Sequence, residues 1–169
     1  NTGPLSYAVD VNLDGYLEVI AGATAYTHTG ETIFSIRDGF SAVGNFDEDD
    51  YPEIAVIRSG NLYLYEHDGT LIWGPVLVPG VSARNYGGAP VIADFTGNGI
   101  PEIGVAGANN YVAFDANGEI IWSSPTKDTS SGRTSSTVHD FEGDGRAEIL
   151  YNDERYFRIY DGRTGHVKF

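Results

Sequence analysis

The sequence predicts an all-β chain assembled from repeats of one small antiparallel sheet, and three observations carry that expectation. Of 169 residues 41 % are hydrophobic, with 22 Gly, 11 Tyr, 8 Phe and no Met, a composition that favours short aromatic strands and tight turns over long helices. An acidic nine-residue segment recurs four times, starting at residues 10, 45, 94 and 140, and a period of roughly 40 to 50 residues belongs to stacked β-sheet arrays. Each copy is followed by the same succession of apolar runs and turn signals.

Within a unit the elements come in a fixed order. A short apolar strand precedes the acidic segment, as in Ser41-Ala42-Val43 or Pro90-Val91-Ile92-Ala93. A β-branched run opens at the segment's last residue, as in Glu53-Ile54-Ala55-Val56-Ile57 and Glu102-Ile103-Gly104-Val105-Ala106, which reads as a strand. A further run follows at 62–65, 111–114 and 157–160, ending in a turn such as His67-Asp68-Gly69, Ala116-Asn117-Gly118 or Asp161-Gly162. Asp-Gly and Asn-Gly tolerate positive φ and so mark hairpins. A last run closes on an aromatic residue, at Phe34, Trp73, Trp122 and Phe169. Four short strands per unit make one blade, so the expected architecture is a β-propeller-type array of about four four-stranded blades. The blades fall at about 1–37, 38–80, 81–126 and 127–169 of a single domain. Gly74 to Gly88 and Ser123 to Ser136 interrupt the rhythm and are expected to be long connections between blades.

The acidic segments have the chemistry of calcium loops. Calcium takes about six to eight oxygen ligands, so a short loop must bend sharply and aim alternate side chains at one point. Loop one offers Asp10, Asn12, Asp14, Tyr16 and Glu18; loop two offers Asn45, Asp47, Asp49, Tyr51 and Glu53. Loop three offers Asp94, Thr96, Asn98, Ile100 and Glu102, and loop four Asp140, Glu142, Asp144, Arg146 and Glu148. In this reading the first, third, fifth and ninth places supply side-chain oxygen. The seventh place (Tyr16, Tyr51, Ile100, Arg146) supplies its backbone carbonyl, and a Gly at the sixth allows the bend. The spacing is similar to the start of an EF-hand loop, but the closing acid comes at place nine and a strand follows, so no flanking helices are implied. The apolar second place (Val11, Phe46, Phe95, Phe141) is expected to point away, into the packing between sheets.

Asp, Asn and Gly also make ordinary turns, but four such loops in register favour metal, with up to four Ca2+ ions per chain. Carboxylate number ranks loop four first with four, loops one and two next with three each, and loop three last with Asp94 and Glu102. Loop two departs most, with Asn45 at its first place and Asp50 where Gly is usual; Asp visits the left-handed region at modest cost, so the bend is expected there too. The four windows hold 14 of the 24 Asp and Glu. Four bound ions would take the net charge from −14 to −6, and removing them is expected to destabilise the fold.

These loops, each followed by an Ile/Val-rich strand, resemble the FG-GAP/VCBS repeats of calcium-binding β-propellers, the architecture of the integrin α-subunit head. Residues 93–103 and 140–149 carry the resemblance most specifically. It implies that the loop residues named above are calcium ligands. Place nine is Glu here, where integrin-type loops usually carry Asp. The hairpins at 64–73 and 114–122 are also similar to the outer hairpins of quinoprotein-type propellers, without a matching quinone-binding or catalytic set. Propellers of the family commonly have about seven blades, so four blades form either a small ring, part of a larger array or a unit completed by self-association.

A net charge of −14 excludes a nucleic acid or anionic membrane surface as the expected partner, since both require a basic face. No stretch approaches the roughly 18 apolar residues of a span, so membrane insertion is not expected. There is no cysteine and hence no disulfide framework. The start at Asn1-Thr2-Gly3 reads as a mature or excised chain.

No catalytic set emerges. His28, His67, His139 and His166 lie in different units, the first two in matching turns and His139 in a strand. Ser130, Ser131, Ser135 and Ser136 lack a nucleophile elbow. The paired carboxylates that glycoside hydrolysis would need are better explained by metal. Asp153 and Glu154 read as a solvated acidic pair. Tyr63, Tyr65, Tyr111, Tyr156 and Tyr160 read as packing between blades. The function expected is therefore non-catalytic: an extracellular or cell-surface adhesion, scaffold or assembly module with a protein or glycan ligand, able to form homo-oligomers or polymers. The alternative is a glycan-binding or accessory domain of a polysaccharide-degrading enzyme.

Overall fold

The computed structural model describes residues 5–22, 24–81, 87–130 and 133–169. Asn1-Thr2-Gly3, Ser131 and the middle of the 74–88 connection lie outside the described residues. The described strands form four antiparallel sheets. Sheet one is β1 (Ser6–Val9), β2 (Glu18–Ala21), β3 (Thr24–Tyr26) and β4 (Thr32–Ser35), in that order. Sheet two is β5 (Phe40–Gly44), β6 (Glu53–Arg58), β7 (Asn61–Tyr65) and β8 (Leu71–Leu77). Sheet three is β9 (Val91–Ala93), β10 (Glu102–Ala106), β11 (Asn110–Phe114) and β12 (Ile120–Pro125). Sheet four has three strands, β13 (Thr137–His139), β14 (Glu148–Asn152) and β15 (Phe157–Tyr160). Its expected fourth strand is reduced to a single bridge, Tyr160 to Val167.

Each junction between consecutive sheets is its own apolar cluster. Val11, Ile20, Ala25 and Phe34 of the first unit meet Ile54, Val56 and Tyr65 of the second. Phe46, Ala55, Leu62 and Leu64 meet Ile103, Val105, Val112 and Phe114. Phe95, Tyr111, Ala113 and Trp122 meet Ile149, Tyr151 and Tyr160. A strand covered on both sides must be apolar on both sides, which is why Ile54-Ala55-Val56-Ile57 is buried without interruption. In β2, by contrast, burial alternates, because only one face of sheet one is covered. The inner strands approach closely: a Cβ on Gly44 of β5 would lie 2.6 Å from Ile92 of β9.

Three sequence expectations change here. β8 runs through Gly74 and Pro75, and β12 reaches Pro125, so the supposed connections begin several residues later than the composition suggests. Tyr156 lies outside the strands and is exposed, unlike buried Tyr65, Tyr111 and Tyr160. Asp153 is not solvated: it is 5 % exposed and accepts N–H groups from Lys127, Arg155 and Tyr156 while pairing with the Arg158 guanidinium. Burial pushes its pKa up, but these donors outweigh burial and hold it at about 2.

A depressed folded-state pKa contributes stability above the unfolded value and loses it as pH falls through the folded value. Asp153→Asn is therefore expected to cost about 2 kcal/mol near neutrality, with the gap to wild type in chemical denaturation closing between about pH 4 and pH 2.

Candidate metal centres

Every acidic loop is anchored by the same contact. The ninth-place glutamates, Glu18, Glu53, Glu102 and Glu148, open the second strand of their sheets and are 0–3 % exposed. In each, Oε2 accepts the backbone N–H of the second-place residue: Val11 at 3.1 Å, Phe46 at 2.6 Å, Phe95 at 2.6 Å and Phe141 at 3.0 Å. One oxygen thus fixes the loop to the sheet, and the other remains for a further partner.

That second oxygen separates the loops. Glu18 Oε1 and Glu53 Oε1 are buried with no hydrogen-bond partner. In loop three the Thr96 hydroxyl donates to Glu102 Oε1 at 2.7 Å. In loop four Glu148 Oε1 accepts from Lys168 Nζ at 2.8 Å, and the same ammonium reaches Glu142 Oε1 at 2.8 Å. These carboxylates hold Lys168 above the usual lysine range. The Glu53 carboxyl is shifted upward by burial, opposed by the Phe46 N–H and reinforced by Asp47.

The loop backbones fall into two kinds. In loops one, three and four the fourth and sixth places have positive φ: Leu13 and Gly15, Gly97 and Gly99, Gly143 and Gly145. This turns successive N–H groups onto the first-place carboxylate. Asp10 accepts from Asp14 and Gly15, Asp94 from Gly97, Asn98 and Gly99, and Asp140 from Gly143, Asp144 and Gly145. In loop two Asp50 does not adopt positive φ, contrary to the sequence expectation. Asn45 there accepts the Asp47 N–H at 3.3 Å and donates to the Asp49 carbonyl. An amide at the first place, with no left-handed bend to gather N–H groups beneath it, gives a different turn.

The fifth and seventh places behave alike in all four loops, with Asp14, Asp49, Asn98 and Asp144 accepting the N–H of Tyr16, Tyr51, Ile100 and Arg146. Asp144 also pairs with the Arg146 side chain at 3.5 Å. Among the described residues, two groups bring three carboxylate oxygens within 4.8 Å of one another: Asp47, Asp49 and Glu53, and Asp140, Glu142 and Glu148. The loop-one carboxylates Asp10, Asp14 and Glu18 do not form such a group, and there the Asn12 amide donates to Asp14 at 3.2 Å. Loop three has two carboxylates, Asp94 and Glu102.

Two features went unread in the sequence. Tyr16 stacks on His28 and Tyr51 on His67, each with ring centroids 4.3 Å apart, so the seventh place is clamped to the hairpin turn in the first two units. Lys168 had a visible signal. The closing runs read Ile33-Phe34, Ile72-Trp73, Ile121-Trp122 and Lys168-Phe169, so a lysine stands where three repeats carry isoleucine.

The comparisons with known proteins agree with this repeat geometry. Residues 45–105 match the FG-GAP-like repeat family. No curated protein matches the chain significantly. Among solved structures, the chain is similar to the biofilm matrix protein Bap1 of V. cholerae, with TM-score 0.76 and 17 % identity over 98 % of this chain and 54 % of that one. It is similar to a lectin of Agrocybe aegerita that recognises non-reducing terminal N-acetylglucosamine, with TM-score 0.60 and 14 % identity over 98 % and 52 %. It is also similar to the rhamnogalacturonan lyase YesW, with TM-score 0.56 and 18 % identity over 99 % and 37 %. The chain thus spans about half the length of the first two and less of the third.

Leu13 holds φ +58° where loops three and four place glycine, and a side chain there costs about 1–2 kcal/mol. Leu13→Gly is expected to raise the thermal midpoint. Lys168→Met leaves Glu142 and Glu148 facing each other without their cation, and is expected to lower the midpoint measured in chelator.

Proposed function

We propose that the chain is a calcium-stabilised, non-catalytic module of an extracellular adhesive or scaffolding protein, in which metal ions stiffen a propeller-type array. The observation that carries this reading is the pair of orphaned, buried carboxylate oxygens, Glu18 Oε1 and Glu53 Oε1, each under an acidic loop; in loop two Asp47 and Asp49 converge on Glu53. A buried carboxylate oxygen without a donor costs several kcal/mol unless a cation meets it. An all-oxygen donor set of carboxylates, amides and carbonyls suits calcium rather than a softer transition metal. The residues present therefore fit the ion that the repeat family implies.

Geometry favours a filling order different from the one carboxylate count gives. Loops one and two offer an unmet oxygen and fill first. Loop three must give up the Thr96 hydrogen bond and has the fewest charges. Loop four, richest in carboxylate, must first release Lys168. The ions would hold loop and strand together; no reaction step is required of them.

The extracellular and adhesive parts are supported by the fold shared with a biofilm matrix protein, and by acidity that suits a calcium-rich exterior. No described helix is long and apolar enough to cross a membrane. One observation favours a second reading, glycan binding. A charged cleft of about 320 Å³ beside loop four is lined by Asp144, Arg146, Asp161, Arg163, Thr164 and Lys168, within the size range of small-ligand sites, and a lectin and a lyase share the fold. Glycan-array binding lost on Arg163→Ala supports that reading, and release of reducing sugar would overturn the non-catalytic one.

Calcium is expected to raise the thermal midpoint, by an amount that grows with concentration as ligand binding to the native state requires. Glu18→Gln and Glu53→Gln keep an acceptor for the loop N–H but remove the buried charge. Each is expected to leave the metal-free midpoint unchanged or higher, and to lower the calorimetric stoichiometry by one ion. A wild-type midpoint indifferent to millimolar calcium would overturn the proposal.

A further inference from the structure

Loop four carries its own cation. Its Asp140, Glu142 and Glu148 form one of the two groups with three carboxylate oxygens close enough to share an ion among the described residues, but a protein ammonium already bridges two of them. Lys168 Nζ lies 2.8 Å from Glu142 Oε1, 2.8 Å from Glu148 Oε1 and 3.8 Å from Asp161 Oδ2. The other acids of the loop are engaged as well. Asp140 accepts three backbone N–H groups, and Asp144 accepts the Arg146 N–H and pairs with the Arg146 side chain. No carboxylate of loop four is therefore in the state of Glu18 and Glu53, whose Oε1 atoms are buried without a donor.

The backbone fixes where this lysine stands. Its N–H donates to the Ile159 carbonyl at 2.7 Å, and the Ile159 N–H donates to the Phe169 carbonyl at 3.0 Å, so residue 168 is tied to β15 by hydrogen bonds on both sides. The equivalent residues Ile33, Ile72 and Ile121 have no charge to offer their loops. A tethered cation competes at an effective concentration that dilution does not lower. Calcium entering loop four must also break two charge-assisted contacts, and it gains only the difference between its own charge and that of an ammonium. In loops one and two no cation among the described residues pairs with the carboxylates. The wider charge pattern agrees: residues 127–169 carry seven of the ten cations and eight of the 24 acids, a net −1, whereas residues 1–126 carry −13. Protein charge can balance the fourth unit and not the first three.

We propose that Lys168 takes the place of calcium in loop four, so that this loop closes without metal and the chain's dependence on calcium is confined to the units before it. The proposal rests on the calcium reading given above for loops one and two. It turns their filling order into a division, because Lys168 is not released at millimolar calcium and loop four does not fill. Withdrawal of calcium then loosens the array unevenly. The first loops are freed, while the junction of sheets three and four keeps its closed loop, with the Ala147 N–H still donating to the Asp94 carbonyl at 2.9 Å.

Calorimetric titration of wild type and Lys168→Met with calcium tests this. The variant is expected to bind one more ion than wild type, and calcium is expected to restore the thermal midpoint that the variant loses in chelator. Equal, non-zero counts in the two proteins would overturn the lysine closure and leave the calcium reading standing. One ion on the variant beside none on wild type would support the closure and overturn the calcium reading, and no binding by either would overturn both. A measurement on wild type decides the matter if the variant does not fold: amide hydrogen exchange with and without chelator. The Val11 and Phe46 N–H groups, which donate to Glu18 and Glu53, are expected to exchange about tenfold faster or more in chelator, and that of Phe141, which donates to Glu148, to change by less than about twofold. Phe141 accelerating as much as the other two would contradict the proposal, and no change at any of the three would remove the calcium reading and this one with it.

Discussion

The arrangement of each unit depends on one buried carboxylate that serves two structures at once. The ninth-place glutamate belongs to the second strand of its sheet, yet its Oε2 holds the backbone at the second place of the loop. That hydrogen bond spans seven residues in all four units and sets the loop over the sheet end, with the second-place side chain turned towards the next sheet. A charge so deeply placed is tolerated only when its second oxygen is also met. The four loops differ in how: a threonine hydroxyl in loop three, an ammonium in loop four, and no protein partner in loops one and two. The variation makes the metal question specific to each loop.

The same residues transmit loop order into the array. The second-place side chain enters the junction cluster, and the first strand residue after the glutamate packs against the preceding sheet, as Ile54, Ile103 and Ile149 do. Loop and junction are therefore adjacent links of one chain of contacts, and loosening a loop loosens two sheets. Repeat arrays built from nearest-neighbour interfaces gain their stability junction by junction. Among the described residues the four sheets make three such junctions.

Much of this was legible in the sequence because the signals repeat. Strand order, loop positions and the turns at Gly69 and Gly118 follow from spacing and from what Asp, Asn and Gly do locally. The ends of β8 and β12 were missed because Gly-Pro and Ser-Ser-Pro read as punctuation, whereas pairing with β7 and β11 carries the strands through them. Asp153 was misread because its partners, Lys127 and Arg158, come from a connection and a neighbouring strand, and composition does not display such convergence. The bend in loop two was misjudged by assuming that every loop gathers N–H groups beneath its first place; Asn45 forms a different turn. Phe141 fits the repeat rule that buries Phe46 and Phe95 but is 52 % exposed, contrary to the expectation that it packs between sheets: Phe46 and Phe95 are covered by the next sheet, and no described sheet covers that side of sheet four.

The calcium proposal stands on metal coordination by the unmet oxygens of Glu18 and Glu53. An anomalous difference map from crystals grown in calcium tests it most directly. Peaks are expected at about 2.3–2.6 Å from Glu18 Oε1 and Glu53 Oε1, with the Oε2 contacts to Val11 and Phe46 retained. Maps without a peak at either loop, with those oxygens turned to a backbone donor or to water, would contradict it.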